Sequence, residues 1–258
     1  MTTVPENAGQ DCGSAAALAD GVVRLRECRL SVADRQWTFQ RDNVDAIERH
    51  FRAAVRRTPE FYNGRVFVLT EVRIEDGRLD GVLLPTDFAS YLYWRESGFD
   101  PSLGRDVFGK AIIEAADGAL LFGRAADYTM NAGRADLVGG FIDPIDVGFD
   151  GAVDIDASIA RELGEETGLE LASLERRPGY VMAVEGALVA LCVHLRSPLS
   201  SDELSARIGA TLAAQGKPEI AEVVAILPRL HADRGALAGL GVPDYAIRLL
   251  AALSAEVD

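Results

Sequence analysis

The stretch that decides the fold lies at residues 161–169, which read RELGEETGL. On a helix, positions three and four apart share a face, so Glu162, Glu165 and Glu166 converge within about 100° of arc around the axis. Three carboxylates that lie this close need compensating charge, and the single Arg161 cannot balance them. Because convergent carboxylate oxygens suit a hard divalent cation such as Mg²⁺, the stretch predicts a helix with a metal-binding face.

An apolar stripe runs along the same predicted helix. Ile155, Ile159 and Leu163 recur at helical spacing, and Glu162 and Glu166 fall inside or beside that stripe. A carboxylate pressed against the edge of a core costs free energy unless it is paired. A helix that is merely acid-rich and solvated is the competing interpretation, and the residues upstream weaken it.

A glycine turn precedes the helix. Residues 139–144 read GGFIDP and follow the apolar Leu137 and Val138, which predicts a strand end, a turn and a loop. From Gly139 to Leu169 the chain resembles the Nudix box, a family pattern in which a glycine and a loop acid precede Arg-Glu-apolar-x-Glu-Glu-x-Gly-apolar on a helix. The resemblance implies a divalent-metal-dependent pyrophosphohydrolase that acts on a nucleoside diphosphate linked to another moiety.

The resemblance also implies roles for residues of the box. Its glutamates hold Mg²⁺ or Mn²⁺, and its arginine orients them through an ion pair, with simple surface display as the alternative. The implied metal ligands are Glu162, Glu165 and Glu166, and the catalytic set on the helix is Glu165, Glu166 and Arg161. Gly139 and Gly140 would let the backbone approach the phosphates, since neither residue carries a Cβ.

Two arginines near the box are further candidates for phosphate binding. Arg124 and Arg134 flank the site in the sequence, and a guanidinium pairs well with phosphate oxygens. A solvated surface position is at least as good an interpretation of each. With Gly139 and Gly140 they complete the predicted substrate-binding set.

The general base is expected outside the helix, as it often is in the family. Glu219 and Glu222 are the candidates, because they lie at the start of a predicted strand over residues 220–227. The flexible residues 215–218 precede that strand, so a loop can carry a carboxylate toward the attacking water. Glu222 is preferred, since a side chain within a strand is held more firmly. An exposed glutamate at a strand edge is the alternative.

The box departs from the family spacing in its loop. Twenty residues separate Gly140 from Arg161, whereas the family has thirteen, so seven residues are extra. The family's loop acid falls on Asp146 when counted from Gly140 and on Val153 when counted back from Arg161. Both assignments stay open. Insertions in surface loops cost little closure entropy, so the spacing indicates an elaborated loop and an intact helix.

A narrower resemblance concerns the segments before the helix. Residues 62–67, 84–95 and 139–144 together look like the layout of the UDP-sugar diphosphatase-like Nudix proteins, which carry an N-terminal extension and a lengthened box loop. An ordinary hairpin entry explains the first segment equally well. This resemblance implies a nucleotide sugar such as UDP-glucose or ADP-ribose as substrate.

Composition excludes several other functions. The 258 residues include 40 acidic and 26 basic side chains, and the net charge of −14 would repel a nucleic-acid backbone or an anionic membrane. Three scattered cysteines without a CxxC pair do not suggest a disulfide framework. The start of the chain lacks the basic and apolar runs of a signal peptide. We therefore expect a cytoplasmic protein with a small-molecule partner, and no nucleic-acid or membrane partner.

Hydrophobic patterns divide the chain into three parts. Residues 1–20 are small and polar, which predicts a disordered tail. Residues 21–106 are expected to form a small α/β extension, with strands near 22–31 and 36–40, a helix over 43–57, a hairpin turning at Asp76-Gly77 and a helix after Asp87. Residues 107–258 are expected to form the Nudix domain, an α/β/α sandwich with strands 108–115, 119–124, 180–184, 187–195 and 220–227, and helices 201–214 and 243–257.

Two other functional classes compete with the hydrolase. A non-catalytic Nudix module would bind a nucleotide without cleaving it, and the intact Glu162, Glu165 and Glu166 argue against it. A structural or partner-binding protein with an accidental acidic helix is disfavoured by the glycine turn. The sequence specifies neither the base nor the sugar, and a homodimer is allowed for.

Overall fold

The computed structural model describes residues 13–255, and it confirms the expected α/β class. Two mixed sheets are covered by helices. The strands, numbered in chain order, are β1 Gly13–Ser14, β2 Gly21–Leu25, β3 Glu27–Val32, β4 Arg65–Glu75, β5 Arg78–Asp87, β6 Asp106–Glu114, β7 Leu120–Ala125, β8 Ala135–Asp136, β9 Ala152–Val153, β10 Glu175–Arg176, β11 Tyr180–Glu185, β12 Leu188–Arg196 and β13 Ile220–Ile226.

Helices lie between these strands and at the end of the chain. They are α1 Thr38–Asp42, α2 Val44–Arg57, α3 Phe88–Glu96, α4 Ile155–Thr167, α5 Ser201–Ala214, α6 Arg234–Gly239 and α7 Asp244–Ser254, with short 3-10 turns at Ala15–Ala17, Pro144–Asp146, Leu171–Ser173 and Pro228–Leu230. Within residues 13–255, no helix is long and apolar enough to cross a membrane.

The first sheet has the strand order β1-β4-β5-β3-β9. The predicted hairpin is confirmed, because β4 and β5 pair antiparallel around Asp76 and Gly77. Both turn residues have positive φ, 49° and 72°, which is the geometry of the tight turns that follow the twist of the strands. β3 runs parallel to β5 on the far side.

The second sheet has the order β13-β7-β6-β12-β11-β2, with β8 and β10 at its margins. Its central pair splits: β6 and β7 pair at Ile113–Leu121 and Glu114–Leu120 and then diverge. Residues 135–141 enter the gap, since β8 pairs with β7 and isolated bridges join Val138 and Phe141 to β6. The split therefore places the predicted glycine turn in the middle of the sheet.

Two strands cross the expected boundary at residue 106. β2 lies in the second sheet beside β11, although it precedes the boundary. β9 lies in the first sheet beside β3, although it follows the boundary. The division into an extension, 21–106, and a main unit, 107–258, stays a prediction.

Other expectations for the N-terminal part need correction. Residues 1–12 of the expected tail lie outside the described residues, but residues 13–20 are ordered, so the prediction of disorder there is wrong. The side chain of Arg105 donates hydrogen bonds to the carbonyl oxygens of Ala15, Ala16 and Leu18, and Ala15 is buried. The predicted strand over 36–40 is also wrong, because α1 begins at Thr38.

Most helices and strands after residue 43 are confirmed, and α6 is the helix that the pattern missed. The second sheet is packed on both faces. Ile155, Ile159 and Leu163 of α4 are buried in one hydrophobic cluster, together with residues of α5. The second cluster, on the opposite face, contains the apolar side of α7. Alternate residues of β6 belong to the two clusters, as the strand period requires.

Candidate active site

The ends of α4 fix where its acidic residues lie. Asp154 caps the first turn by accepting a hydrogen bond from the N–H of Ala157 at 2.9 Å. Gly168 ends the helix in the left-handed conformation, with φ at 69°. The three box glutamates therefore fall in the last two turns, on the side of the helix that faces the glycine turn.

A cavity of about 720 Å³ opens at this point, and its walls come from several elements. All three box glutamates, Arg161 and both glycines of the turn line it. The wall on the side of β13 comes from a second group, which comprises Gln215, Lys217, Glu219 and Ile220. We call this space the acidic cavity.

Glu166 is the most desolvated carboxylate of the cavity. The N–H of Gly139 donates to its Oε2 atom at 2.7 Å. Burial raises the pKa of Glu166 to about 7, and the neighbouring carboxylates of Glu162 and Glu219 act in the same direction, against Lys110 and the Gly139 N–H. A carboxylate in this setting is short of positive charge.

Glu162 lies one turn before Glu166 on the same face. Burial raises its pKa too, with Glu165 acting in the same direction, although Arg161 and Lys110 oppose the shift. Its carboxylate packs on Gly140: a Cβ at that position would lie 2.9 Å from Oε2 of Glu162. A side chain at position 140 would therefore displace the Glu162 carboxylate, whereas Gly139 is required by the backbone itself, since its φ is 126° and an added Cβ would lie 2.3 Å from a backbone oxygen.

Arg161 organises the acids around it. Its guanidinium donates to Glu162 at 2.7 Å, to Glu165 at 3.2 Å and to Asp146 at 3.0 Å. The Asp146 carboxylate raises the pKa of Arg161 above its ordinary value, and Glu162 adds to the effect, while burial opposes it. Asp146 is itself buried and also accepts from the N–H of Asp143. The loop acid beside Arg161 is thus Asp146, as the count from Gly140 indicates.

The extra loop residues explain why the two counts disagree. The N–H of Asp154 donates to the carbonyl oxygen of Asp146 at 2.8 Å, so the chain closes on itself across residues 147–153. Those seven residues form a small hairpin in which Val147 pairs with Val153. β9, at its end, pairs with β3 of the first sheet. The insertion therefore leaves the helix and the loop acid in contact.

Lys110 is a site residue that the sequence analysis missed. It lies on β6, is buried, and donates to the carbonyl oxygens of Leu137 and Gly139 at 2.8 and 2.6 Å. Burial opposes its charge, but Asp136 and Glu166 more than compensate and raise its pKa. The available signal was a lysine inside an otherwise apolar strand.

The structure places Glu222 and Arg124 outside the cavity. The guanidinium of Arg124 pairs with Glu222 and donates to the carbonyl oxygens of Gly133 and Leu240. A register shift between Ile220 and Glu222 accompanies this arrangement. Glu219, by contrast, lines the acidic cavity. Of the two candidates for the general base, only Glu219 is brought to the box glutamates.

The predicted ligand set fits a divalent cation in part. Among residues 13–255, no three Asp, Glu, His or Cys side chains are grouped closely enough to hold an ion, and Arg161 engages Glu165. Glu162 and Glu166 nevertheless fit a divalent cation: both are desolvated, both line the cavity, and the charges of both raise the pKa of Lys110. Glu165 completes the set if Arg161 releases it.

A second, smaller space adjoins the acidic cavity and is lined by aromatic rings. Its walls include Tyr91 of α3, Phe108 of β6, Phe141 after the glycine turn and Tyr245 of α7, and Arg134 lies at the same space. We call it the aromatic chamber. Gly139, Gly140 and Phe141 line both spaces, so the two form one continuous cleft.

No protein-family model matches the chain, and no curated protein matches it. Solved structures of similar fold include the protein DR0079 from Deinococcus radiodurans, at 17% identity and a TM-score of 0.44, covering 73% of this chain and 98% of that one. A Nudix hydrolase from M. smegmatis, RenU, has 17% identity and a TM-score of 0.36, covering 59% of this chain and 86% of that one.

A bifunctional NMN adenylyltransferase/ADP ribose pyrophosphatase from Francisella tularensis, solved with AMP and a Mn ion, has 15% identity and a TM-score of 0.39. That match covers 65% of this chain and 45% of the other. Likenesses at these identities and TM-scores carry no argument about activity.

Proposed function

We propose that this chain is a Nudix-type hydrolase that uses Mg²⁺ or Mn²⁺ to cleave the pyrophosphate bond of a nucleoside diphosphate linked to another moiety. The observation that carries the proposal is the pair of desolvated carboxylates, Glu162 and Glu166, on one wall of the acidic cavity. Arg161 and Lys110 offset part of the cost of burying this pair, and a bound divalent cation would offset more of it. The box sequence around the pair supports the same chemistry.

The roles of the residues follow from their positions. Glu162 and Glu166 would hold the cation, with Glu165 as an additional ligand. A bound divalent cation supplies charge neutralisation for the phosphate oxygens as the bond breaks. Lys110 supports the turn by binding the carbonyl oxygens of Leu137 and Gly139, and it adds positive charge beside the phosphates.

Positioning and proton transfer fall to other side chains. Arg161 is a positioning residue, because it holds Glu162 and Glu165 through hydrogen bonds and is itself held by Asp146. Glu219 is the proposed general base, since it lines the same cavity as the box glutamates and its charge acts on Glu166. Lys217 lines the same wall and can pair with a phosphate oxygen.

The form of the cleft supports a substrate of two parts. The acidic cavity would take the diphosphate, while the aromatic chamber would take a ring from one end of the molecule. A nucleotide sugar such as ADP-ribose or UDP-glucose suits such a cleft better than a nucleoside triphosphate does. The nucleotide sugar carries a second sugar beyond the diphosphate, whereas the triphosphate carries only a further charged phosphate there. We infer a cytoplasmic enzyme whose partner is this small molecule.

The test is a hydrolysis panel with purified protein. UDP-glucose, ADP-ribose and dGTP are each incubated with Mg²⁺, with Mn²⁺ and with EDTA, and nucleoside monophosphate is measured by chromatography. We expect metal-dependent cleavage of the sugar diphosphates, with a higher kcat/KM than for dGTP. Binding without cleavage under every metal condition would favour the non-catalytic nucleotide-binding module, and a clear preference for dGTP would reverse the substrate class.

A further inference from the structure

The aromatic chamber contains a buried acid that the proposed chemistry does not use. Asp106 is the first residue of β6, is 3% exposed, and lines the chamber. The hydroxyl of Tyr91 donates to its Oδ2 atom at 2.6 Å. Its Oδ1 atom is buried and has no hydrogen-bond partner among the residues that the structure describes.

An unpartnered carboxylate oxygen in this position is costly. Burial raises the pKa of Asp106 to about 6, against the hydrogen bond from Tyr91 and the charges of Arg95 and Lys110. Arg95 acts on Asp106 through its charge, but its guanidinium donates to Asn131 at 2.8 Å and makes no hydrogen bond to Oδ1. A ligand with an N–H donor would satisfy the free oxygen and offset the cost of burying it.

The walls of the chamber indicate a flat ring. Phe141 packs edge-on against Tyr91, with centroids 5.0 Å apart, and Phe108 packs against Tyr245 at 5.6 Å. The volume is about 120 Å³, which is close to the ~150 Å³ of a cavity that accepts a benzene molecule. One six-membered aromatic ring fits this space, and a fused purine would extend past Gly139, Gly140 and Phe141 into the adjoining acidic cavity.

We propose that the aromatic chamber binds the nucleobase of the substrate, and that Oδ1 of Asp106 accepts a hydrogen bond from an exocyclic amino group of that base. This inference rests on the proposed function, because it presumes a nucleotide in the cleft. It assigns the chain a preference for adenine, cytosine or guanine over a base that lacks the amino group.

The preference follows from the chemistry of a carboxylate. An amino group donates to Oδ1, whereas a ring with a bare C–H at that position leaves the buried oxygen unpaired. A site built around a polar contact discriminates strongly against the analogue that lacks it. A lost hydrogen bond to a charged group corresponds to about 10- to 100-fold in affinity.

The experiment measures equilibrium binding of nucleoside monophosphates in EDTA, by calorimetry, so that turnover plays no part. Three pairs differ by the amino group alone: AMP against purine riboside monophosphate, CMP against pyrimidin-2-one riboside monophosphate, and GMP against IMP. For at least one pair, we expect the wild-type protein to bind the amino form tenfold or more tightly. Asp106→Asn should abolish that preference, because its amide can turn a donor toward the ligand.

Asp34→Asn is the matched control, since it makes the same change in charge at an exposed acid outside the chamber. It should keep the wild-type preference. Equal affinities within all three pairs, or a preference that survives in Asp106→Asn, would overturn the inference, and so would a failure to bind any of the six ligands. If the wild-type protein shows the binding preference but no metal-dependent hydrolysis, the proposed function alone is overturned.

Discussion

The two ends of the cleft differ in how the chain builds them. The three carboxylates proposed to hold the cation at the acidic end lie within five consecutive residues, 162–166, of the single helix α4. The aromatic end is assembled from α3, β6, the glycine turn and α7, whose residues lie as far apart as Tyr91 and Tyr245. Chemistry that follows a helical period is visible in a sequence, whereas a chamber assembled by tertiary contacts is not.

The largest expected effect lies at the acidic end. Glu166→Gln should lower kcat by about a thousandfold, because it removes a proposed cation ligand while keeping the shape of the side chain. Hydrolysis of ADP-ribose measures the effect, and circular dichroism checks the fold. Glu170→Gln, an exposed glutamate just beyond the helix, is the control. If the folded Glu166→Gln protein turns over at the wild-type rate, the proposal that the acidic end binds a catalytic cation is contradicted.

The ion pair between Arg161 and Asp146 should contribute to the stability of the folded protein. Arg161→Ala leaves the Asp146 carboxylate, which is 3% exposed, without its cation, so the free energy of unfolding should fall by about 2–4 kcal/mol. Denaturant unfolding measures the loss. Adding Asp146→Asn to Arg161→Ala should recover part of it, because the buried charge is then absent. Arg41→Ala, at an exposed ion pair, should leave stability nearly unchanged.

At the aromatic end, Asp106 should make stability depend on pH. The pKa is raised from 3.8 to about 6 on folding, so the native state holds the proton more tightly than the unfolded state. Stability is therefore lost as the pH rises from about 4 to 6, and Asp106→Asn avoids that loss. Above pH 7 we expect the variant to be more stable than the wild type by at most about 3 kcal/mol, with no gain at pH 4. Parallel unfolding curves across this range would contradict the assignment.

Variants of the two candidate bases, Glu219 and Glu222, should show which of them belongs to the acidic end. Glu219→Gln should lower kcat by about a hundredfold, the usual size of a general-base contribution. Glu222→Gln should stay within about threefold of the wild type, because its carboxylate is outside the cavity and paired with Arg124. The pH profile of kcat is the added measurement, since loss of a base changes its acidic limb. The reverse ranking of the two variants would restore Glu222 to the site.

The smallest effect is expected from the inserted hairpin. Deleting residues 147–153 should leave kcat within about tenfold, because Asp146 and Asp154 are already hydrogen-bonded across the gap. A modest loss of thermal stability is expected from the lost pairing with β3. Phe149→Ser, at the fully exposed tip, should change neither quantity. A deletion that abolishes turnover would show that the hairpin belongs to the acidic end.

Sequence patterns predicted the elements that follow a single period. The helix α4 and its buried stripe are confirmed, as are the hairpin at Asp76-Gly77 and the capped helix α5. The pattern failed near residues 36–40, where contacts with Trp37 and Asp87 hold a helical turn. It also failed over 13–20, since the order there depends on a guanidinium some ninety residues away.

The positions of individual side chains were harder to predict from the sequence than the helices and strands that carry them. The sequence placed Glu219 and Glu222 at the start of one predicted strand, but it gave no sign of the register shift between Ile220 and Glu222 that lies between them, because such a shift leaves no periodic signal. Asp106 and Lys110 both begin or interrupt an apolar strand. Their burial depends on Tyr91 and on the split between β6 and β7, neither of which is local to them.

The closed base of the inserted hairpin affects how other chains of this kind can be recognised. Because the peptide groups of Asp146 and Asp154 bond to each other, the number of residues between them can change without moving the acid or the helix. A sequence pattern that fixes the distance from glycine to arginine excludes such chains. A pattern made of two segments of fixed length would find them. The first runs from the glycine to the loop acid, the second runs from the arginine to the glycine that ends the helix, and the spacing between the two segments is left variable.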